Sequence, residues 1–421
     1  MDRQSETHNP QGAARHLDPH SFTFPAWQRA DGRKGIRNIV CIVYLVECAH
    51  HVARQIVNKS GRDDVHLIGF PGCYPNEYAL KMMEALCSHP NVGGVVLVSL
   101  GCESFNREAL KRHVEASGRP VETFVIQNEG GTASTVQKGV EAVHRIRAIA
   151  DKTPRTEMKA AELIVGTICG GSDGTSGITA NPAVGRAFDT LGAVGTACIF
   201  EETGELVGCE KIMASRAVTP ELGAELEACV LKAERYYTIM GYGSFAPGNA
   251  EGGLTTQEEK SMGAYSKSGS APICGILKPG DIPPTGGLYL LDVVPDGEPR
   301  FGFPNISDNA EIVEMIACGA HLTLFTTGRG SVVGSAISPV IKVCANPETY
   351  RKLSGDMDVD AGRIMEGEAT LDEVGAEITD LVLRVAAGEE SLSEAMGHQE
   401  FILTYKAFDP IGPACLPLKR A

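Results

Sequence analysis

No apolar run in this chain approaches the roughly 20 residues a membrane span requires. The most apolar stretch, residues 36–46 (IRNIVCIVYLV), has the length of a buried strand. No hydrophobic segment follows the charges of the N-terminus, MDRQSETHNPQGAARH, so it does not read as a secretory signal. Positive charge is scarce: 38 Lys and Arg stand against 53 Asp and Glu, a formal net charge of −15. So acidic a surface argues against nucleic acid or membrane as partners, and an anionic substrate would need a local cationic pocket. There is no G-x-G-x-x-G after a strand with a suitably placed acid, and no G-x-x-x-x-G-K-[ST], so no nucleotide cofactor is expected. Fixed-period repeats and low-complexity tracts are also missing.

What is present is a chain of 421 residues, 43% hydrophobic, enough for two domains with large cores. The 13 cysteines are odd in number and irregularly spaced, a poor disulfide framework. The expected compartment is the cytoplasm, where thiols stay reduced and serve as core residues, metal ligands or reactive groups.

Residues 1–26 are polar and aperiodic and read as a mobile arm, with order beginning near Trp27. From 27 to 154 apolar strands (36–46, 65–70, 92–100, 121–127) alternate with helices (48–58, 77–88, 107–115, 132–150). Strands apolar on both faces and separated by helices imply an α/β fold, a parallel sheet covered on both sides. The charged stretch 151–159 marks a boundary to a second α/β domain, 155–421. Its strands are expected at 162–168, 193–200, 321–326 and 340–343. Its helices are expected at 183–191, 220–240, 310–317 and 371–387. Residues 241–310 are rich in Gly and Pro and read as binding loops.

In such Rossmann-like or flavodoxin-like sheets, ligands bind beyond the carboxyl ends of the strands. Four expected strands end at or near a cysteine: Cys48, Cys73, Cys102 and Cys169. Helix N-termini there favour thiolate, which suits a soft metal or an iron–sulfur cluster; plain packing is the competing explanation. The segment CGGSDGTSG (169–177) resembles an anion-binding turn. Thr327 and Arg329 follow a strand and offer a guanidinium beside flexible backbone, as a carboxylate clamp or a solvated turn. Lys342, in an apolar strand, and Arg37-Asn38 are each either structural or substrate-facing. Lys260 follows Glu258-Glu259 and reads most simply as a solvated helix start.

These motifs together resemble the altronate and galactarate dehydratase family. The resemblance rests on DGRKGIRN (31–38), PGC (71–73), HPNVGGVVLVSLGCE (89–103), EGGT (129–132) and CGGSDGTSGITANPAVG (169–185). It continues through GNAEGGLTTQEEKSMGA (248–264), LFTTGRG (324–330), PVIKVCAN (339–346) and DMDVDAG (356–362). It implies an oligomeric lyase that needs a divalent metal, usually iron, as Fe2+ or a cluster. Family members acting on sugar acids carry an extra small N-terminal domain. A lone core beside a separate small subunit of about 90 residues resembles the branch that releases sulfite from sulfolactate. Sugar-acid members also tend to have His where Gly69 stands, four residues before Cys73.

The expected reaction removes the proton from the carbon bearing hydroxyl and carboxylate, then expels a group from the next carbon of an anionic 2-hydroxy acid. Metal chelation would absorb the developing charge. Loss of hydroxide needs a general acid, whereas sulfite leaves without one. The implied roles are Cys48, Cys73, Cys102 and Cys169 for metal, with Glu103 supporting them. Gly170, Gly171, Ser172 and Asn181 would hold the carboxylate, Arg329 and Lys342 would face the second anionic group, and Asp173, Thr327, Arg37 and Asn38 are further substrate-binding candidates. Lys260 or Glu210 would be the base. The alternatives are a sugar-acid hydro-lyase and a non-catalytic subunit, the latter disfavoured by the intact Gly-rich blocks.

Overall fold

A computed structural model describes residues 16–241, 243–298, 307–403 and 406. Three strands form an antiparallel sheet, ordered β2-β1-β7: β1 (Thr23–Gln28), β2 (Lys34–Gly35) and β7 (Arg155–Lys159). A parallel four-stranded sheet, ordered β4-β3-β5-β6, contains β3 (Ile39–Tyr44), β4 (Val65–Gly69), β5 (Val92–Ser99) and β6 (Val121–Val125). A parallel seven-stranded sheet follows the order β10-β11-β9-β8-β12-β13-β14. Its members are β8 (Ile164–Cys169), β9 (Ala197–Phe200), β10 (Ile273–Leu277), β11 (Gly287–Leu291), β12 (Leu322–Thr327), β13 (Val340–Cys344) and β14 (Val359–Asp360).

The two central strands of the four-stranded sheet, β3 and β5, are almost wholly apolar because both faces are covered. On one face Val40, Ile42, Val96 and Val98 pack against α1 (Glu47–Ser60) and α4 (Thr132–Ala150). On the other, Cys41, Val43, Val95 and Leu97 pack against α2 (Glu77–Cys87) and α3 (Arg107–Ala116). The same cluster runs on to Ile312, Val313 and Ile316, so the two parallel sheets share one core. The second sheet is covered on its other face by α5 (Ala180–Ala193) and the helix Leu371–Ala386.

Three expectations are corrected. Residues 1–15 of the expected arm lie outside the described residues. Its remainder is held: Leu17 N donates to Asp380 Oδ1 at 2.7 Å, and Thr23–Gln28 is a strand. Phe24 and Ala26 supply the reason, being buried with Met158 and Leu163. The stretch 151–159 read as a boundary is partly β7, an edge strand whose alternation hides one apolar residue, Met158, among polar neighbours. The loop region 241–310 contains β10 and β11. It also holds α8 (Pro247–Glu251), α9 (Gln257–Tyr265) and the start of α10 (Asp308–Ala317). Short runs such as ICGIL and GLYLL are masked by the Gly and Pro between them. Two further helices, α6 (Glu210–Ala214) and α7 (Pro220–Met240), precede that region.

Phe24→Ala tests whether the arm belongs to the core. It is expected to destabilise the fold by about 3 kcal/mol, seen as a lowered urea midpoint; an unchanged midpoint would return the segment to solvent.

Candidate active site

The second sheet reverses its direction of winding at β8, which lies between β9 and β12. Ligands gather at such switch points because the two connecting loops leave in opposite directions. Here β8 ends in Cys169 and continues into Gly170-Gly171-Ser172. The loop is tied to its neighbour: Gly170 N donates to Thr326 O at 3.0 Å, and Arg329 N donates to Gly171 O at 2.9 Å. Gly171 has φ 63°, which glycine adopts without strain. A Cβ on Gly170 would lie 2.1 Å from Asp308 Oδ2, so glycine there lets a carboxylate lie against the backbone.

Two stretches far apart in sequence close the site. After β9 come Glu201, Glu202 and Glu205. Glu202 has φ 82° and, among the described residues, is the lone non-glycine with positive φ, a strain of about 1–2 kcal/mol. The segment 248–264 packs over the glycine loop through Asn249, whose Nδ2 donates to Ser172 O at 3.0 Å. The result is a cavity of about 650 Å³, lined by Cys169, Gly171, Glu202, Glu205, Lys260 and Asp308 among others.

Charge dominates this cavity. Cys169 Sγ lies 3.2 Å from Glu202 and 3.3 Å from Glu205, and the three offer ligand atoms within 4.8 Å of one another. Lys260 Nζ pairs with Glu205 at 2.5 Å, and buried Lys267 pairs with Glu202. Burial, reinforced by Glu205, raises the Glu202 carboxyl despite Lys267. Burial and the two carboxylates raise the Cys169 thiol as well. Burial and Glu205 lift Asp308 to about 6. Burial, with Glu314 and Asp308 against the pull of Lys406, lifts Glu311 to about 8. Acids outnumber cations around one thiol. A divalent cation fits this donor set, because it would turn costly like-charge contacts into ligation with a position left open.

The residues that build this site lie in segments matched by known proteins. Residues 160–408 match the C-terminal domain of D-galactarate/altronate dehydratase. Residues 26–151 match the second domain of D-galactarate dehydratase/altronate hydrolase. The chain belongs to the D-galactarate/altronate dehydratase family. It is 33% identical to the (2R)-sulfolactate sulfo-lyase subunit beta of Chromohalobacter salexigens, over 91% of this chain and 97% of that protein. It is 30% identical to the altronate dehydratase of Escherichia coli, over 90% and 76%. It is 31% identical to that organism's galactarate dehydratase (L-threo-forming), over 88% and 73%. These relatives are all lyases, and this family member is a lyase. No helix of the described residues is long and apolar enough to cross a membrane.

The fold distributes the expected site residues of this dehydratase-family chain unevenly. Cys169, Gly170, Gly171, Ser172, Lys260 and Arg329 line the cavity. Arg329 is partly exposed and pairs with Glu251 at 3.1 Å. Lys260 does not begin a solvated helix: it is buried on α9. Burial works to lower its pKa, but Glu205, Cys169 and Glu202 outweigh it and leave the ammonium raised. Asp173 and Asn181 stand beside the cavity rather than in its wall. Asp173 accepts from Thr175 and Asn346, and Asn181 bonds Gly263 O and Thr326, so both brace the loop. Thr327 caps Gly330 N at 3.0 Å.

Other assignments are corrected. Arg37 clamps Glu394 at 2.6 Å, and Asn38 bonds Arg29 and Ala150 O; both hold chain segments together. Lys342 Nζ faces Val333 O and His398, its backbone N donates to Asp358 at 2.7 Å, and burial lowers its pKa against the pull of Asp358, Asp356 and Glu400. Glu210 accepts from Gly208 N beside α6, outside the cavity. Glu103 binds Ser99 and Gly101 N at the tip of the first sheet. Cys48, Cys73 and Cys102 lie beyond the ends of β3, β4 and β5 of the four-stranded sheet and are not in the cavity wall, so the four thiols form no single group. Gly69 is also outside the wall. A Cβ there would meet the Tyr44 ring at 2.3 Å, so that ring occupies the space a larger side chain would need. Glu202, Glu205, Lys267, Asp308 and Glu311 escaped sequence reasoning. The one available signal was the acidic pair Glu201-Glu202 directly after an apolar strand.

Two outcomes are expected. Glu205→Gln should weaken Mn2+ binding, read by electron paramagnetic resonance, more than about tenfold; unchanged affinity removes Glu205 from the cation site. Glu311 binds its proton more tightly folded than unfolded. Its contribution to stability is full below about 4.5 and is lost as pH rises through about 8. Urea midpoints of the metal-free protein should therefore fall across that window, and Glu311→Gln should flatten the fall.

Proposed function

We propose that this lyase acts on a small anionic 2-hydroxy acid, with (2R)-3-sulfolactate as substrate and pyruvate and sulfite as products. The observation that carries the reaction class is the Cys169–Glu202–Glu205 group facing the Gly170-Gly171-Ser172 turn. The sulfonate is supported by the 33% identity to the sulfo-lyase subunit, extending over 97% of that protein. That relative's name, subunit beta, supports a separate small partner subunit.

In this reading Cys169, Glu202 and Glu205 hold a divalent metal, with iron as the proposed ion. When bound, it would stabilise negative charge on the substrate's carboxylate and hydroxyl oxygens. Amides of the glycine turn receive the carboxylate, and Arg329 faces the sulfonate at the open side of the cavity. The C2 proton passes to a base. Lys260 is the proposed base: Glu205 is the strongest of the groups that hold its proton against burial, and engaging Glu205 elsewhere weakens that hold. The C3–S bond breaks, sulfite leaves with the electron pair, and the resulting enol takes a proton at C3 to give pyruvate.

One observation favours sugar-acid dehydration instead. Glu311, lifted to about 8, is a protonated acid at neutral pH of the kind that hydroxide loss requires. The absent histidine at Gly69 no longer weighs against that reading, since position 69 lies outside the cavity wall. Incubation of the purified protein with sulfolactate, altronate and galactarate, scored for sulfite and 2-keto acid, separates the two. Sulfite from sulfolactate is expected; keto acid from a hexonate or hexarate alone overturns the assignment. Arg329→Gln should raise KM for the dianion several-fold to about tenfold, with kcat little changed.

A further inference from the structure

We propose a second metal centre at the tip of the four-stranded sheet: an iron–sulfur cluster bound by Cys48, Cys73 and Cys102, separate from the Cys169 site. The inference does not depend on the substrate reading above.

Strand register brings the three cysteines to one edge of the sheet. Tyr44 of β3 is paired with Gly69 of β4 on one side and Val98 of β5 on the other. Counting four residues on from each arrives at Cys48, Cys73 and Cys102. The three cysteines thus occupy equivalent positions beyond the carboxyl ends of three adjacent strands, which lie roughly 4.8 Å apart. The loops then meet. Ser104 donates to Cys73 O through both its backbone N and its Oγ at 2.9 Å, and Glu47 N donates to Pro71 O at 3.0 Å. Each loop therefore touches a neighbour across the tip.

Packing does not account for these residues. Free cysteine is among the most buried residue types. Of the twelve cysteines described, eight are buried and four exposed, and three of those four are Cys48, Cys73 and Cys102. Cys48 lies in the first turn of α1 beside Glu47, with Val46 as the N-cap residue. Glu103 folds back onto Ser99 and Gly101 N, which fixes the turn presenting Cys102 and keeps its charge engaged with backbone. Among the described residues, only Cys169, Glu202 and Glu205 bring three ligand atoms within 4.8 Å of one another. The three tip sulfurs therefore span more than the first shell of one ion, as ligands to separate irons of a cluster do. With three protein thiolates, a four-iron cluster keeps one iron free of a protein ligand.

The test is iron and acid-labile sulfide content of the full chain, reconstituted anaerobically with ferrous iron and sulfide, with paramagnetic resonance of the reduced sample. About four irons and four sulfides per chain are expected. They should be lost in the triple variant C48S/C73S/C102S and kept in Cys169→Ser and Cys274→Ser. Each single serine variant, checked for fold by far-ultraviolet circular dichroism, should lower the sulfide content. The loaded protein should protect these three thiols, and not Cys274, from alkylation. Iron without sulfide, or sulfide unchanged in the triple variant, overturns the proposal.

Discussion

Four carboxyl groups, Glu202, Glu205, Asp308 and Glu311, line a single cavity around the thiol of Cys169, and the surrounding structure offsets the repulsion they create. Buried charges of one sign are tolerated only where cations or protons neutralise them. Lys267 and Lys260 neutralise two, and burial keeps the proton on Glu311. The placement of α9 over the glycine loop, the start of α10 beside Gly170 and the strained backbone at Glu202 all serve this balance. A divalent cation would complete it.

The two parallel sheets share a core through α2, α3 and α10, yet they present different chemistry at their tips. The seven-stranded sheet gathers carboxylates, lysines and glycine amides at its switch point. The four-stranded sheet presents three exposed thiols in matching register. Both arrangements use the property that parallel strands deliver all their carboxyl ends, and all the loops that follow, to one edge.

Much of the fold was legible because hydrophobic periodicity is local. The helices expected at 132–150 and 220–240 are Thr132–Ala150 and Pro220–Met240. The glycine turn at 169–172 was legible as a loop at a strand end for the same reason: its pattern lies within a few consecutive residues. The partners of Cys169 were not. Glu202 and Glu205 sit more than thirty residues away, and Lys267 meets Glu202 across 65 positions. Nothing in a single acidic residue distinguishes a buried ligand from a solvated one. Lys342 and Arg37 show the converse, cations in apolar surroundings that proved to bind carbonyls and to clasp chain segments.

The sequence by itself determined the alternation of strands and helices, the family and the set of chemically able residues, since these follow from local pattern and motif. Only the tertiary structure decided which of them share a site. Strand order, not position in the chain, sets which loops meet, and so Cys169 joined the carboxylates that follow β9 while Cys48, Cys73 and Cys102 lie beyond the strands of the other sheet.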